Sequence, residues 1–172
     1  MRKVLVVVDM QNDFIDGALG SSEAASIVPA VAERVANFSG DVIFTRDTHY
    51  EDYLSTAEGR KLPVKHCIKD TDGWQITSAI EIPERARIFD KETFGSVGLG
   101  EALLKENEKS EISEIELVGL CTDICVISNA FLLKAYLPEC EISVNSALCR
   151  GVTDESHKKA LSAMAACQIK II

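Results

Sequence analysis

The segment Lys3-Val-Leu-Val-Val-Val8 is a continuous apolar run behind its lysine, rich in β-branched residues and stopped at once by Asp9. β-branched side chains suit a pleated strand, and a run without polar alternation has no face to turn toward water. The run predicts a strand buried on both faces, which a layered α/β fold provides at the middle of a parallel sheet.

The rest of the chain alternates in the same way. Ser26–Phe38 carries Ile27, Val28, Val31, Val35 and Phe38 three or four apart or adjacent, the stripe of an amphipathic helix, and Gly40 ends it. Further strands are predicted at Asp41–Thr45, Arg87–Phe89, Glu114–Gly119, Glu141–Val144 and Lys170–Ile172. Helices are predicted at Leu99–Glu106, from a Thr122 or Asp123 cap through Ala135 to a stop before Pro138, and at Thr153–Ala166. With 172 residues, one domain over 1–172 is the expectation. Its fold class is α/β, a Rossmann-like three-layer sandwich with a mostly parallel six-stranded sheet and helices on both faces. Residues 46–83 carry no such pattern, and a loop of that length in a compact domain usually has work to do.

Composition narrows the function. The chain has 18 basic and 27 acidic side chains, a net charge of −9, which speaks against nucleic acid or an anionic membrane as partner. No apolar run reaches the ~20 residues of a membrane-spanning helix. The N-terminal apolar stretch is too short for a signal peptide, because Asp9 interrupts it. Cys67, Cys121, Cys125, Cys140, Cys149 and Cys167 contain no Cys-x-x-Cys pair and are read as reduced thiols of a cytoplasmic protein rather than a disulfide scaffold.

In open parallel sheets the ligand crevice lies beyond the carboxyl ends of the strands. Asp9, Asp47, Lys91 and Cys125 all fall just after predicted strands, so one crevice can collect them. Cys125 sits in the first turn of a predicted helix, where free N–H groups and the helix dipole favour a thiolate nucleophile. The same position also suits a small buried hydrophobe. Asp9 reads either as a turn cap or as a buried carboxylate with a raised pKa, able to take a proton from a thiol. Lys91, in a charged stretch, has the ordinary reading of a solvated surface residue. Asp47 and His49 are two apart at a strand end and point the same way, and His66 follows in the loop. Two imidazoles and a carboxylate suit zinc, iron or manganese, with a polar loop network as the alternative. The remaining histidine, His157, is expected on the exposed side of its helix. Gly95-Ser-Val-Gly98-Leu-Gly100 has the wrong order for a dinucleotide fingerprint and reads as a loop and helix start.

Taken together, the stretches Val8-Asp-Met-Gln-Asn-Asp-Phe14 and Gly119-Leu-Cys-Thr-Asp-Ile-Cys-Val126 resemble the isochorismatase-like cysteine hydrolases, and within them the nicotinamidases. The resemblance covers nearly the whole chain. It implies a catalytic triad of Asp9, Lys91 and Cys125, and a divalent metal, Zn2+ with Fe2+ or Mn2+ as alternatives. The implied ligands are Asp47, His49 and His66, with Glu58 as a fourth. It also implies a cis peptide bond at Leu120–Cys121 and an oxyanion hole from the backbone N–H groups of Cys121 and Cys125. Phe14 is implied in the ring pocket. Many nicotinamidases carry a tryptophan shortly before the metal-binding histidine; here Leu62 stands in that segment, and the only tryptophan is Trp74. Either Leu62 or Trp74 is expected against the substrate.

The implied reaction converts nicotinamide to nicotinate and ammonia through a Cys125 thioester, as part of NAD salvage. The partner is a small-molecule amide, and the family habit of homo-oligomers implies a dimer or tetramer. Within the family, the metal ligands argue against carbamoyl-sarcosine and ureidoacrylate hydrolases, and Cys125 argues against isochorismatase itself. Another small amide is the nearest alternative. A catalytically silent interaction domain and a thiol redox sensor built on Cys121 and Cys125 are the others.

Overall fold

Val4 to Val8 expose nothing to solvent, and the sheet explains why. The computed structural model describes residues 2–172. Strands β1 (Arg2–Val8), β2 (Asp41–Asp47), β3 (Arg87–Lys91), β4 (Ile112–Leu120), β5 (Glu141–Arg150) and β6 (Lys170–Ile171) form one sheet in the order β3-β2-β1-β4-β5-β6. Every pairing in it is parallel. β1 lies in the interior of the sheet, and its alternate side chains go to opposite layers. Val4, Val6 and Val8 pack with Leu99 and Leu103 of α3 (Val97–Asn107), Ala130 and Leu133 of α4 (Ile127–Tyr136), and Met164 of α5 (Asp154–Ala166). Leu5 and Val7 pack with Ile27, Val28, Val31 and Val35 of α2 (Ser22–Ala36). A short α1 (Asn12–Ile15) precedes α2. Burying five such side chains contributes on the order of 10 kcal/mol in gross terms, comparable to the whole net stability of a domain.

The α/β class and the parallel sheet agree with the sequence reading; the differences are element ends, the short helix α1, which the sequence reading did not contain, and the turn after β4. α2 begins at Ser22 because the Ser21 hydroxyl caps it, accepting from Ala24 N–H at 3.0 Å. Its end falls before Phe38, since Asn37 leaves helical geometry. β5 runs on to Arg150 because a second segment pairs Gly119 with Cys149 and Leu120 with Arg150 after a register shift. Neither Thr122 nor Asp123 caps the helix after β4. Thr122–Val126 forms a π-helical turn entered from Cys121, with Val126 N–H donating to the Cys121 carbonyl at 3.0 Å, and α4 starts only at Ile127.

The chain runs outward from β1 to β2 and β3, then returns to the other side of β1 for β4. Such a reversal opens a crevice at the carboxyl ends of β1 and β4. Gly119 makes their close approach possible. Its φ is +116°, and a Cβ there would lie 2.1 Å from the Val8 carbonyl oxygen. Gly119→Ala is expected to lower unfolding stability by about 3 kcal/mol, combining backbone strain with the clash. Chemical denaturation of the purified variant measures it.

Candidate active site

Four strand ends deliver the reactive groups. Asp9 follows β1 with φ +48°, a left-handed conformation tolerated by aspartate, and its side chain is wholly buried. Lys91 ends β3 in register with Asp47, which ends β2, so the two side chains share one side of the sheet. Cys125 rises from the π turn after β4. The Lys91 ammonium sits 2.7 Å from Asp9 Oδ2, 3.2 Å from Asp47 Oδ1 and 3.5 Å from Cys125 Sγ. Lys91 is 4 % exposed, so the surface reading of this residue is overturned: its charge is balanced inside the crevice.

Two acids and one cation in a dry site set the proton distribution. Burial raises the Asp9 carboxyl above its ordinary value, opposed by Lys91. Burial also opposes charge on Lys91, but Asp9, Cys125 and Asp47 outweigh it and keep the ammonium protonated. Cys125 is pushed well above the ordinary thiol range, first by burial and then by Asp9, with Lys91 acting the other way. The helix-terminus argument for a resting thiolate therefore fails here, because desolvation beside a carboxylate outweighs it. Asp9 Oδ1 accepts from the Thr45 hydroxyl at 2.6 Å. Asp9 Oδ2 is ion-paired with the Lys91 ammonium at 2.7 Å, on the side that Cys125 shares.

Beside this group stands a second cluster. Parallel bridging of His49 with Ile68, through His49 N–H to Cys67 O and Lys69 N–H to His49 O, each at 2.9 Å, draws the loop back onto the end of β2. Ligand atoms of Asp47, His49, Glu58 and His66 consequently lie within 4.8 Å of one another. His66 Nδ1 is 2.8 Å from the Val64 carbonyl oxygen, a contact that puts the proton on Nδ1 and leaves Nε2 bare. His49 Nε2 is 2.9 Å from Asp47 Oδ2, yet it is buried with no hydrogen bond. Mutually close acceptors and an orphaned imidazole nitrogen fit a divalent cation better than a polar network, which would satisfy them with donors. Burial works to raise Asp47, but contacts with His49, His66 and Lys91 hold it well below the usual carboxylate range, ready to ligate. Asp47 joins the clusters, one oxygen on Lys91 and the other facing the histidines.

A pocket of about 640 Å³ opens over both clusters. Asp47, Glu58, His66, Cys121 and Cys125 lie in its wall, and the remainder is mostly apolar, with Phe14, Leu62, Phe94, Ile124 and Val152. Phe14 and Leu62 thus border the pocket as expected. Trp74 does not. It is buried behind Thr48, donating Nε1–H to the Thr48 hydroxyl at 2.9 Å, and the Arg46 guanidinium covers its ring at 3.6 Å. The Leu120–Cys121 peptide bond is cis. His157 is half-buried rather than a surface group, its Nδ1 2.8 Å from the Thr122 hydroxyl.

Several supporting residues escaped the sequence reading. Gln11 holds the end of β2 from both sides, accepting from Asp47 N–H at 2.7 Å and donating to the Asp47 and Trp74 carbonyls at 2.8 and 2.9 Å. Asn129 donates to the Cys125 carbonyl at 2.8 Å and accepts from Ser96 N–H at 2.9 Å, tying the turn that carries Cys125 to the loop after Lys91. The phenol ring of Tyr53 packs 4.5 Å from that of His49 and 5.0 Å from that of His66, by ring centroids. Polar residues at helical or strand spacing from Cys125 and Asp47 were the available signal for Asn129 and Thr45; Tyr53 lies in a loop and gave none.

Comparison with known proteins gives the chain's family and structural relatives. Residues 3–172 match the family described as Isochorismatase domain. A pyrazinamidase of Pyrococcus horikoshii in complex with zinc superposes with a TM-score of 0.84 at 28% identity, covering 100% of this chain and 99% of that one. The nicotinamidase/pyrazinamidase PncA of Bacillus subtilis gives 0.80 at 27% identity, with 99% of each chain covered. An N-carbamoylsarcosine amidase of Thermoplasma acidophilum gives 0.79 at 27%, covering 99% of this chain and 95% of that one.

The electrostatics give a signed expectation. Replacing Asp9 by asparagine removes a charge that raises the Cys125 thiol, so Asp9→Asn increases the thiolate fraction at pH 8. Alkylation of Cys125 by iodoacetamide, followed by mass spectrometry, is expected to be faster than in the wild type.

Proposed function

The chain belongs to the isochorismatase family, and we propose that within it this protein is a metal-dependent cysteine amidohydrolase that converts nicotinamide to nicotinate and ammonia. The observation that carries this reading is the Lys91 ammonium held between Asp9, Cys125 and Asp47, with Asp47 shared by a four-residue ligand cluster. Overall likeness does not choose the amide, since the N-carbamoylsarcosine amidase is as similar as the PncA protein. The ligand cluster beside a largely apolar pocket does favour one class: an aromatic carboxamide with a ring nitrogen able to bind a metal.

In this reading Phe14 and Leu62 flank the ring. Asp47, His49, Glu58 and His66 would hold a divalent cation, which would supply a Lewis acid for the ring nitrogen of the substrate. Zinc is the ion we assign, from two imidazoles with carboxylates and from the zinc-bound pyrazinamidase; Fe2+ and Mn2+ accept the same donors. The Cys125 thiol gives its proton to Asp9 Oδ2 as sulfur bonds to the carboxamide carbon. The carbonyl electron pair moves onto oxygen, where the backbone N–H groups of Cys121 and Cys125 hold it. The C–N bond then breaks, Asp9 returns the proton to departing ammonia, and a thioester remains. Asp9 next takes a proton from water as the water oxygen adds to the thioester carbon; the C–S bond then breaks, the departing sulfur takes that proton back from Asp9 to restore the Cys125 thiol, and the nicotinic acid formed gives its own proton to solvent and leaves as nicotinate. Lys91 places one positive charge beside both carboxylates and the passing thiolate and lowers the cost of each negative charge in turn. A dimer or tetramer acting in the cytoplasm belongs to the same proposal, and for that part the support is the family resemblance alone.

The test is ammonia release from nicotinamide by wild type and Cys125→Ala, with metal content measured on both. Expected are about one metal per chain in each protein and a loss of at least about 10³-fold in kcat for the variant. A metal-loaded wild type that ignores nicotinamide would move the reading to another amide. A protein that binds no metal and releases no ammonia would reject it.

A further inference from the structure

The turn that carries Cys121 and Cys125 rests on one corner of the fold, residues 150–157, where β5 gives way to α5. Leu120 pairs with Arg150 in the sheet. The Asp123 carboxylate accepts from Val152 N–H, its oxygens at 3.1 and 3.3 Å. Thr122 is wholly buried, and its hydroxyl meets His157 Nδ1 at 2.8 Å. Cys121 is held from within the turn, its carbonyl accepting from Ile124 and Val126 N–H at 3.1 and 3.0 Å. The corner has no slack of its own: a Cβ on Gly151 would lie 2.9 Å from the His157 backbone nitrogen.

We propose that His157 is a positioning residue for the amide hydrolysis, which through Thr122 fixes the backbone N–H groups of Cys121 and Cys125 where the oxyanion forms. The inference rests on the thioester reading above. His157 stands behind the turn: Cys121, Ile124 and Cys125 form the pocket wall, and His157 reaches them by way of Thr122. Burial, and then the Arg150 charge, hold its imidazole below the ordinary value, so the ring is neutral at pH 7. A neutral ring pairs with a hydroxyl whichever nitrogen carries the proton. Thr122 follows directly on Cys121, so pinning its side chain limits rotation of the backbone beside the Cys121 N–H. Backbone donors stabilise an oxyanion only when they are aimed at the point where charge develops. A misplacement of about 1 Å at a reacting centre can cost about a hundredfold in rate, so a group that never touches substrate can still set the rate.

The probe is pyridine-3-carbaldehyde, which matches nicotinamide in shape but has no amine to lose. The Cys125 sulfur bonds to its aldehyde carbon, the carbonyl electron pair moves onto oxygen, and the thiol proton passes to Asp9, so the adduct keeps its oxygen in the oxyanion hole. In His157→Ala, kcat for nicotinamide is expected to fall about tenfold with KM within about twofold, and the aldehyde to bind about tenfold more weakly. Affinity for nicotinate, which forms no bond to sulfur, is expected to stay within about twofold. His157→Asn, whose side-chain amide reaches where Nδ1 does, is expected to recover most of the loss. Thr122→Val provides a second variant; it is expected to show the same losses and to add nothing to those of His157→Ala when the two are combined. If the variants leave aldehyde affinity within about twofold of the wild type, or weaken nicotinate as much as the aldehyde, the proposal is overturned. A wild type that neither releases ammonia from nicotinamide nor binds the aldehyde would reject the thioester reading, and the proposal with it.

Discussion

One ammonium group, Lys91 Nζ, holds the site together. It lies within 3.5 Å of two carboxylate oxygens and a sulfur, all buried. Without it two acids would face each other out of water, and burying unpaired charge of that kind costs several kcal/mol. The ammonium is supplied by β3 at the edge of the sheet, and its register with Asp47 on β2 sets its position. The parallel sheet therefore serves as a ruler. β1, β2 and β3 each lead to one reactive side chain at their carboxyl ends, Cys125 follows β4 in its turn, and the reversal of strand order between β1 and β4 leaves room above them.

That ruler explains why so much of the site could be read from the chain alone. Asp9 follows its apolar run directly and Asp47 and Lys91 follow their predicted strands within two residues, and the end of a buried strand in such a sheet is an address as well as a boundary. The long stretch after Asp47 was harder. His49 and His66 are far apart along an irregular loop, and no periodicity announces the bridge between His49 and Ile68 that unites them. Trp74 shows the limit of composition: a lone tryptophan looks like a ring-stacking residue, but Arg46 and Thr48 occupy it in the layer beneath the pocket. Cys125 shows the limit of local rules. A helix start favours a thiolate, yet burial next to Asp9 outweighs the dipole, and only the assembled site reveals that balance.

The supporting residues divide by distance from the chemistry. Gln11 and Asn129 touch backbone, fixing where Asp47 and Cys125 sit; Thr45 touches Asp9 and leaves only one of its oxygens free. Such uncharged side chains have no motif of their own. Their hydrogen bonds go to main-chain groups or to a single oxygen, and any residue of similar shape at that spacing would look the same in sequence.

The pocket wall has a different origin from its floor. Phe14 comes from α1, Leu62 from the loop after β2, Phe94 from the turn after β3 and Val152 from the turn after β5, whereas Asp9, Asp47 and Lys91 are anchored at strand ends. Exposed loop positions tolerate exchange far better than residues fixed by a sheet. A lineage built on this plan can change what it accepts while leaving untouched how it cuts, so diversity of diet comes cheaply and diversity of chemistry does not.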